Sequence, residues 1–503
     1  MILVWLLVSQ PLFARAYGGD DHDWSRAIAR TQDGGFLVAG SSWGFGSAWI
    51  DILLLKLSPS GEIEWARTCG GEGPEWASGV FQAPDLGYAV AGHTRSFGAR
   101  ATDLLLMKLS PAGEIEWARV MGTENHDYSG GAVLTSDSGY ALTGGRYRGP
   151  EGWDLLLLKL SGRGDLEWAR AMDWGGLDYG ESVVQAGDGG FVVAGWTMSF
   201  GAGSSDFLAA RFSSTGTPEW VKAYGGPEHD AAKAVVQTQD GGFLLAGETW
   251  SSGAGLSDIL LLKIAADGSL EWGKTYGGPG IDRAASIVGS PDGGFLVSGQ
   301  TRSFGAGLYD LLLMKLSPEG ELEWAETFGG AHSDSVGQVI FLADGGLAIV
   351  GSTGSHGAGL SDIFVLRLQA DGIYPGCIFP CEPAVADATL SENSALFAGG
   401  ASGFTTREAV PPASLCTPSV ADICPPSVEE SRGDEPGPGV ICSPLPGMGL
   451  FISPEAALIR IYSADGRLVL SGQLAEGENR IPLDRGVYFW RVERVGAGKI
   501  VIR

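Results

Sequence analysis

Positive charge is scarce in this chain: 33 Lys and Arg stand against 59 Asp and Glu, leaving 503 residues with a net charge of -26. Such an excess of acid disfavours nucleic acid and anionic membrane surfaces as partners and suits solubility. Long apolar runs are also lacking. The stretch at residues 1–10 is too short to cross a bilayer and nothing else is longer, so no transmembrane span is expected. There are six cysteines, and five of them (Cys377, Cys381, Cys416, Cys424, Cys442) fall after residue 376. They lack a paired Cys-x-x-Cys spacing and a neighbouring histidine, which argues against zinc and for disulfides in an oxidising compartment. Helix-like runs are few while glycines number 80, a composition that points to an all-β chain.

What the chain has in quantity is recurrence. The turn Asp240-Gly241-Gly242, followed by Phe243-Leu244-Leu245-Ala246-Gly247, has relatives that begin at Asp33, Asp85, Asp137, Asp188, Asp292 and Asp344. A period near 52 residues belongs to propellers and solenoids. Each period holds four strand signals. Asp-Gly-Gly between apolar runs marks a hairpin joining the first two. A loop reading Ser-Phe-Gly-Ala-Gly at Ser199 and Ser303 precedes a third, nearly all-apolar strand such as Ile259–Ile264, as expected where both faces are covered. The fourth strand alternates, as in Glu62-Ile63-Glu64-Trp65, and so lies outermost with one wet face. The first strand carries small residues two apart in six copies, among them Ser25/Ala27, Ala77/Gly79 and Ala232/Ala234, and so belongs at a crowded centre. Val336/Gln338 in the last copy departs from the rule.

These features predict an all-β fold: a seven-bladed β-propeller of four-stranded repeats, with a right-handed solenoid of β coils as the rival. Trp65, Trp117, Trp168, Trp220, Trp272 and Trp324 mark six fourth strands, and the seventh unit has none. Phe13 stands 52 residues before Trp65, and Ala14-Arg15 and Gly18-Gly19 copy Ala66-Arg67 and Gly70-Gly71. The start of the chain is therefore expected to supply the missing strand and close the ring, removing its open edge. A competing reading takes residues 1–16 as a secretory signal cleaved after Ala16. Residues 1–10 are read as an apolar segment that is a truncated signal, 11–375 as the propeller, 376–446 as a Pro/Cys-rich linker or irregular insert, and 447–503 as a second domain.

The run Asp258 to Trp272, Tyr276-Gly277-Gly278, Gly293-Gly294-Phe295 and Ser298-Gly299-Gln300-Thr301 resembles the secreted bacterial and archaeal seven-bladed propeller repeats. That resemblance implies a fold and a secreted or cell-surface address, with no defined activity. In the last domain, Asp465-Gly466-Arg467, Gly486-Val487-Tyr488-Phe489 and the terminal Lys499–Arg503 strand resemble the C-terminal sorting domain of the type IX secretion system, a small β-sandwich. Export by that secretion machinery, to the outside or the outer-membrane surface, is what the second resemblance implies. Ser453-Pro454 stands where that family opens on Asn-Pro, and an immunoglobulin-like accessory domain is the plainer reading.

Candidate chemistry is thin. The aspartates before the third strand (Asp51, Asp103, Asp154, Asp206, Asp258, Asp310, Asp362) recur in every unit, as turn and strand-end bonds do and a catalytic constellation does not. Calcium held by these loops is the residual alternative to no cofactor at all. His22, His126 and His229 share a position in three units and are expected to lie apart around the ring. Phe97, Phe200 and Phe304, with His356 in the same slot, are candidate surface ligand-binding residues that could stack on sugars, although packing against the next blade is favoured. No catalytic, cofactor-binding or metal residue is assigned. The expected function is a binding or scaffold module for a protein or glycan ligand. The enzyme alternative comes from Gly320 to Trp324, whose spacing resembles the tryptophan-docking motif of quinoprotein dehydrogenases.

Overall fold

The computed structural model describes residues 12–46, 49–98, 101–369 and 372, together with the backbone of strands between residues 379 and 502. Seven antiparallel sheets each carry four blade strands from the inside outwards, in sequence order in six of them. Blade 1 comprises Asp23–Arg30, Phe36–Ser42, Asp51–Leu57 and Ile63–Cys69. Blades 2 to 6 open at Glu75, Asp127, Asp178, Asp230 and Asp282 and repeat the pattern. The first strands of adjacent blades lie side by side all the way round, blade 7 against blade 1 included.

Blade 7 contributes Asp334–Phe341, Leu347–Thr353 and Asp362–Leu368, and its fourth strand is Phe13–Gly18, paired antiparallel from Phe13 opposite Arg367 to Tyr17 opposite Ile363. The ring thus closes with the start of the chain, as the repeat spacing requires. Sequence-distant strands form this seam, so its edge has no other partner from within the repeat.

Neighbouring blades are clasped at the rim. Each fourth-strand aromatic lies against the glycine of the next blade's last turn. A Cβ on Gly268 would stand 3.1 Å from Trp220, one on Gly320 2.7 Å from Trp272, and one on Gly61 2.8 Å from Phe13. These glycines hold positive φ, +80° at Gly268, so both conformation and space exclude a side chain. Tyr17 Oη and Tyr276 Oη donate to the carbonyls of Gly61 and Gly320 at 2.6 and 2.5 Å, tying the Tyr-Gly-Gly segment to the same turns. The Gly-x-x-x-Trp spacing therefore has an architectural use here.

The basic residue in each apolar third strand, a lysine in five blades and Arg211 or Arg367 in the other two, also has a structural reason. Lys56 is 2% exposed, yet its ammonium reaches the turn and pairs with Asp33 at 2.8 Å and Glu64 at 2.9 Å. Lys263 repeats this with Asp240 and Glu271. Burying the stem while pairing the head keeps a charge tolerable beside the core.

Residues 376–446, expected as a linker or insert, prove partly integral to the ring. Strands Ala384–Asp387, Ser391–Ser394, Thr405–Glu408, Ala413–Leu415 and Ser419–Asp422 add a fifth, outermost strand to blades 5, 4, 2, 1 and 7 in turn. They belong to the same compact unit as the blades. This belt runs backwards round the rim. Asp387, Ser394, Glu408, Leu415 and Asp422 sit opposite Lys274, Lys222, Arg119, Arg67 and Arg15 in register. Edge pairing needs only backbone groups, so its strands show none of the apolar alternation that betrays a blade.

A second compact unit includes residues 424–503. One sheet joins Ile441–Leu445, Met448–Ser453 and Gly477–Pro482, and the other joins Leu468–Leu474, Ala457–Ser463, Gly486–Val492 and Gly496–Ile502, all antiparallel. Gly486–Val492 and Gly496–Ile502 cover the Gly486–Phe489 and terminal segments picked out from the sequence, whereas Ile441–Leu445 and Met448–Ser453 were not anticipated as strands. The cysteine side chains after residue 376 lie outside the described residues. No helix among the described residues is long and apolar enough to cross a membrane.

Candidate functional site

Every first strand carries a β-bulge at one place, between Ser25 and Ala27 in blade 1 and between Gly180 and Ser182 in blade 4. A bulge re-aims the extra side chain. At the axis the bulged residues are Arg26, Ser78, Gly130, Glu181, Lys233 and Ala285, which differ from blade to blade. Glu181 bonds Lys233 of blade 5 at 2.6 Å and faces Arg26 of blade 1 across the ring at 4.0 Å. A charged constriction therefore crosses the axis. In blade 7 the bulge widens to span Val336 to Val339, and Gln338 Oε1 accepts from the Ile28 N–H of blade 1 at 3.0 Å. The exception in the small-residue pattern thus stitches the closing seam.

Above the constriction, towards the face that carries the loops between second and third strands, the wall is divided. In blades 2 to 4 it is aromatic. Trp76 lies 5.0 Å from His93, His93 lies 5.1 Å from Tyr128, and Tyr128 lies 5.3 Å from Trp153. Trp153 then meets Tyr179 at 6.3 Å, and Tyr179 stacks on Trp196 at 5.9 Å. A Cβ on Gly145 would strike Tyr179 at 2.4 Å, so a glycine there makes room for the rings. In blades 5 to 7 the equivalent first-strand positions are Ala231, Arg283 and Ser335, and Arg283 pairs with Glu248 at 2.7 Å. The His93 imidazole is held down at about 4, first by burial and then by the Arg26 charge, so it is neutral at pH 7. Burial raises the Tyr179 phenol, with Glu181 adding to the effect.

Blade 3 also departs in its loop. Arg148 and a short 3-10 turn, Gly149–Glu151, replace the Ser-x-Gly-Ala-Gly segment. A cleft of about 310 Å³ opens there, lined by Thr123, Asn125, Arg146, Arg148 and Glu151.

The residues singled out from sequence are placed as follows. Phe97, Phe200, Phe304 and His356 occupy four different blades and are not brought together. Each is half-buried. Phe97 and Phe304 lie over Gly71 and Gly278 of the preceding Gly-Gly loop, where a Cβ would come within 3.0 and 2.9 Å, and Phe200 meets Trp174 edge-on at 5.5 Å. His22, His126 and His229 are likewise separated. Their Nδ1 atoms bond Ser361, Thr102 and Ser205 of the preceding blade at 2.9, 3.1 and 2.5 Å. No group of three or more His, Cys, Asp or Glu suited to a metal occurs among the described residues. The axial residues were missed because the repeat was read for what recurs, whereas the usable signal was the position after each first-strand acid, where Trp24, Trp76, Tyr128 and Tyr179 give way to Ala231, Arg283 and Ser335.

No protein-family profile and no curated protein matches the chain. Among solved structures, a candidate gluconolactonase matches at 11% identity and TM-score 0.34, over 74% of this chain and 94% of that one. Sqt1 from Chaetomium thermophilum matches at 10% and 0.39, over 71% and 98%. PorZ, a surface component of the type IX secretion system of Porphyromonas gingivalis, matches at 10% and 0.17, over 97% and 100%. At these scores the likenesses carry no argument, and the fold rests on the strand order of the chain itself.

Proposed function

We propose that this chain is a secreted or cell-surface propeller that works as a binding or scaffold module, engaging a protein or glycan ligand on the face where the aromatic crescent opens. One observation carries the reading. Of the eight exposed large apolar side chains among the described residues, seven (Trp43, Trp49, Met198, Trp250, Leu256, Leu308 and Leu360) stand on loops between second and third strands, all at that one face. Leu86 is the exception, on the opposite face. Apolar side chains scattered singly need no explanation, but concentration on one face around an aromatic-walled opening suits a ligand. Phe97, Phe200, Phe304 and His356 stand on loops of the same face in four different blades and would meet together only a ligand broad enough to cover those loops. A glycan array of the full chain, followed by titration of tryptophan emission, tests the reading: a bound sugar should perturb the emission, and Trp196→Ala should shift the titration to higher sugar concentration.

Export through residues 447–503 belongs to the same proposal, supported by the order of the strands and the Asp465-Gly466-Arg467 and Gly486–Phe489 segments. Deleting residues 447–503 should strand a folded propeller in the periplasm of its own host. Normal surface arrival of the truncated chain would refute the sorting role.

A further inference from the structure

At six of the seven junctions between blades, two acids meet beside one glycine, which is the first of a Gly-Gly pair at five of them. One opens the third strand of the leading blade and the other opens the first strand of the next. Between blades 4 and 5 these are Asp206 and Asp230, 1% and 0% exposed. A Cβ on Gly225 would lie 2.2 Å from Asp206 Oδ1 and 2.7 Å from Asp230 Oδ2, so both carboxylates converge on one glycine cradle. Asp258 and Asp282 do the same at Gly277, Asp310 and Asp334 at Gly329, and Asp362 and Asp23 at Gly18. All eight are at most 2% exposed.

Only half of each carboxylate is satisfied. Asp206 Oδ2 accepts from the Ala202 and Gly203 N–H groups at 3.1 Å, and Asp230 Oδ2 accepts from Gly226 N–H and Ser251 Oγ at 2.8 Å. The Oδ1 atoms of Asp206, Asp230, Asp258, Asp282, Asp310, Asp334, Asp362 and Asp23 are buried with no hydrogen-bond partner. At each cradle the unpartnered Oδ1 of the first acid lies beside the bonded Oδ2 of the second, and two buried carboxylates so close, each with one oxygen unsatisfied, are costly unless a positive charge joins them.

The junction between blades 3 and 4 supplies that charge from the chain itself. Arg148 Nε comes within 2.7 Å of Asp154 Oδ1, the counterpart of the orphan oxygens, and Arg146 pairs with Asp154 Oδ2. The loop that reads Ser-x-Gly-Ala-Gly in blades 4 to 7 is replaced there, bringing the Arg148 guanidinium in beside that of Arg146 on the second strand. Where the loop is regular, no such cation is built in. Instead, loop carbonyls gather nearby: those of Gly226 and Glu228 lie 2.5 and 2.3 Å from a Cβ placed on Gly203, whose N–H binds Asp206, and those of Gly278 and Gly280 crowd Gly255 in the same way.

We infer that the four junctions 4/5, 5/6, 6/7 and 7/1 are cation sites, each taking a hard divalent ion of the calcium class between its two aspartates. Every donor on offer is oxygen, the set such an ion prefers, and two charges on the ion balance two carboxylates. With only two acids per site, carbonyls and water complete the coordination. The ions pin adjacent blades together around more than half of the ring, at the rim of the face proposed to bind ligand but independently of any ligand.

The full chain, stripped with EDTA and dialysed, should gain thermal stability as calcium is added, and calorimetry should count more than one ion per chain. Asp282→Asn, isosteric and uncharged, should lose one site from the count and part of the calcium-dependent rise in Tm, and Asp334→Asn should do the same at another junction should the first variant fold poorly. An unchanged Tm on adding calcium to the wild-type chain would overturn the inference. So would Asn variants that keep the full ion count, because the counted ions would then sit elsewhere.

Discussion

The rim and the axis of this propeller are built from the same repeat and use it in opposite ways. At the rim, every blade repeats an aromatic on a positive-φ glycine; three add a tyrosine hydroxyl (Tyr17, Tyr224, Tyr276) on that glycine's carbonyl, and five set a basic residue opposite the belt. At the axis, the corresponding positions run through Arg, Ser, Gly, Glu, Lys and Ala, and the wall turns from aromatic to polar within one circuit. Recurrence marks what every blade needs in order to pack. Difference marks where the ring, taken as one object, can hold something asymmetric.

The largest expected effect comes from opening the rim at the seam. A chain beginning at Gly18 would lose Phe13 to Tyr17, the residues paired with the third strand, and bare the edge of Asp362–Leu368, an apolar sequence able to recruit another chain. Aggregation, or loss of a single cooperative unfolding transition relative to the full chain, is the expected outcome by light scattering and calorimetry. Next comes the clasp itself. Trp220 is half-buried against Gly268, and Trp220→Ala should cost about 2 to 3 kcal/mol in denaturant unfolding, below the range for a fully buried tryptophan. A cost near zero would move the clasp from packing to surface.

Much of the rim was legible because its chemistry is periodic. The 52-residue spacing of Phe13 and the six tryptophans contained the ring closure. The belt was not legible as strands, since edge pairing asks nothing of side-chain alternation. Yet its register residues Asp387, Ser394, Glu408, Leu415 and Asp422 recur at multiples of seven, a period hidden among prolines. The axis was illegible for a different reason. Nothing local in Arg26, Glu181 or Lys233 shows that they meet, and only closure of the ring brings blades 1, 4 and 5 to one point. Phe97 and its relatives stood out because they recur, which is the mark of packing.

Acid and base should separate the two regions further. Lys263 and Thr238 hold Asp240 down at about 2, and Asp137 and Asp292 sit equally low. Folded-state values below the usual 3.8 mean that these bridges stabilise at higher pH, and that the contribution is lost as pH falls from about 4 through 2. Asp127 and Asp178 behave oppositely. Burial pushes them up to about 7 and about 6, so the strain they impose is present at pH 8 and relieved as pH falls towards 5. In EDTA, Tm should therefore rise from pH 8 to pH 5 and drop below pH 4. A flat profile from 8 to 5 would contradict the buried state of these two acids.

A smaller effect is expected at the constriction. Glu181→Gln leaves Lys233 and Arg26 without their shared carboxylate but with access to water, and should cost about 1 kcal/mol. It should sharpen the comparison by touching the axis while leaving the clasps intact.

The claim that the rim holds the ring and the axis serves the ligand is tested most directly by measuring affinity for an array-identified glycan in Trp196→Ala and Lys274→Ala, with tryptophan emission as the readout. Lys274 belongs to the rim, where it bonds Glu321 at 2.5 Å and faces the belt. The account predicts that Lys274→Ala binds like the wild-type chain while Trp196→Ala, equally well folded, loses at least about tenfold, the worth of one lost stacking contact. Equal binding by both variants, or a loss confined to the rim variant, would contradict it.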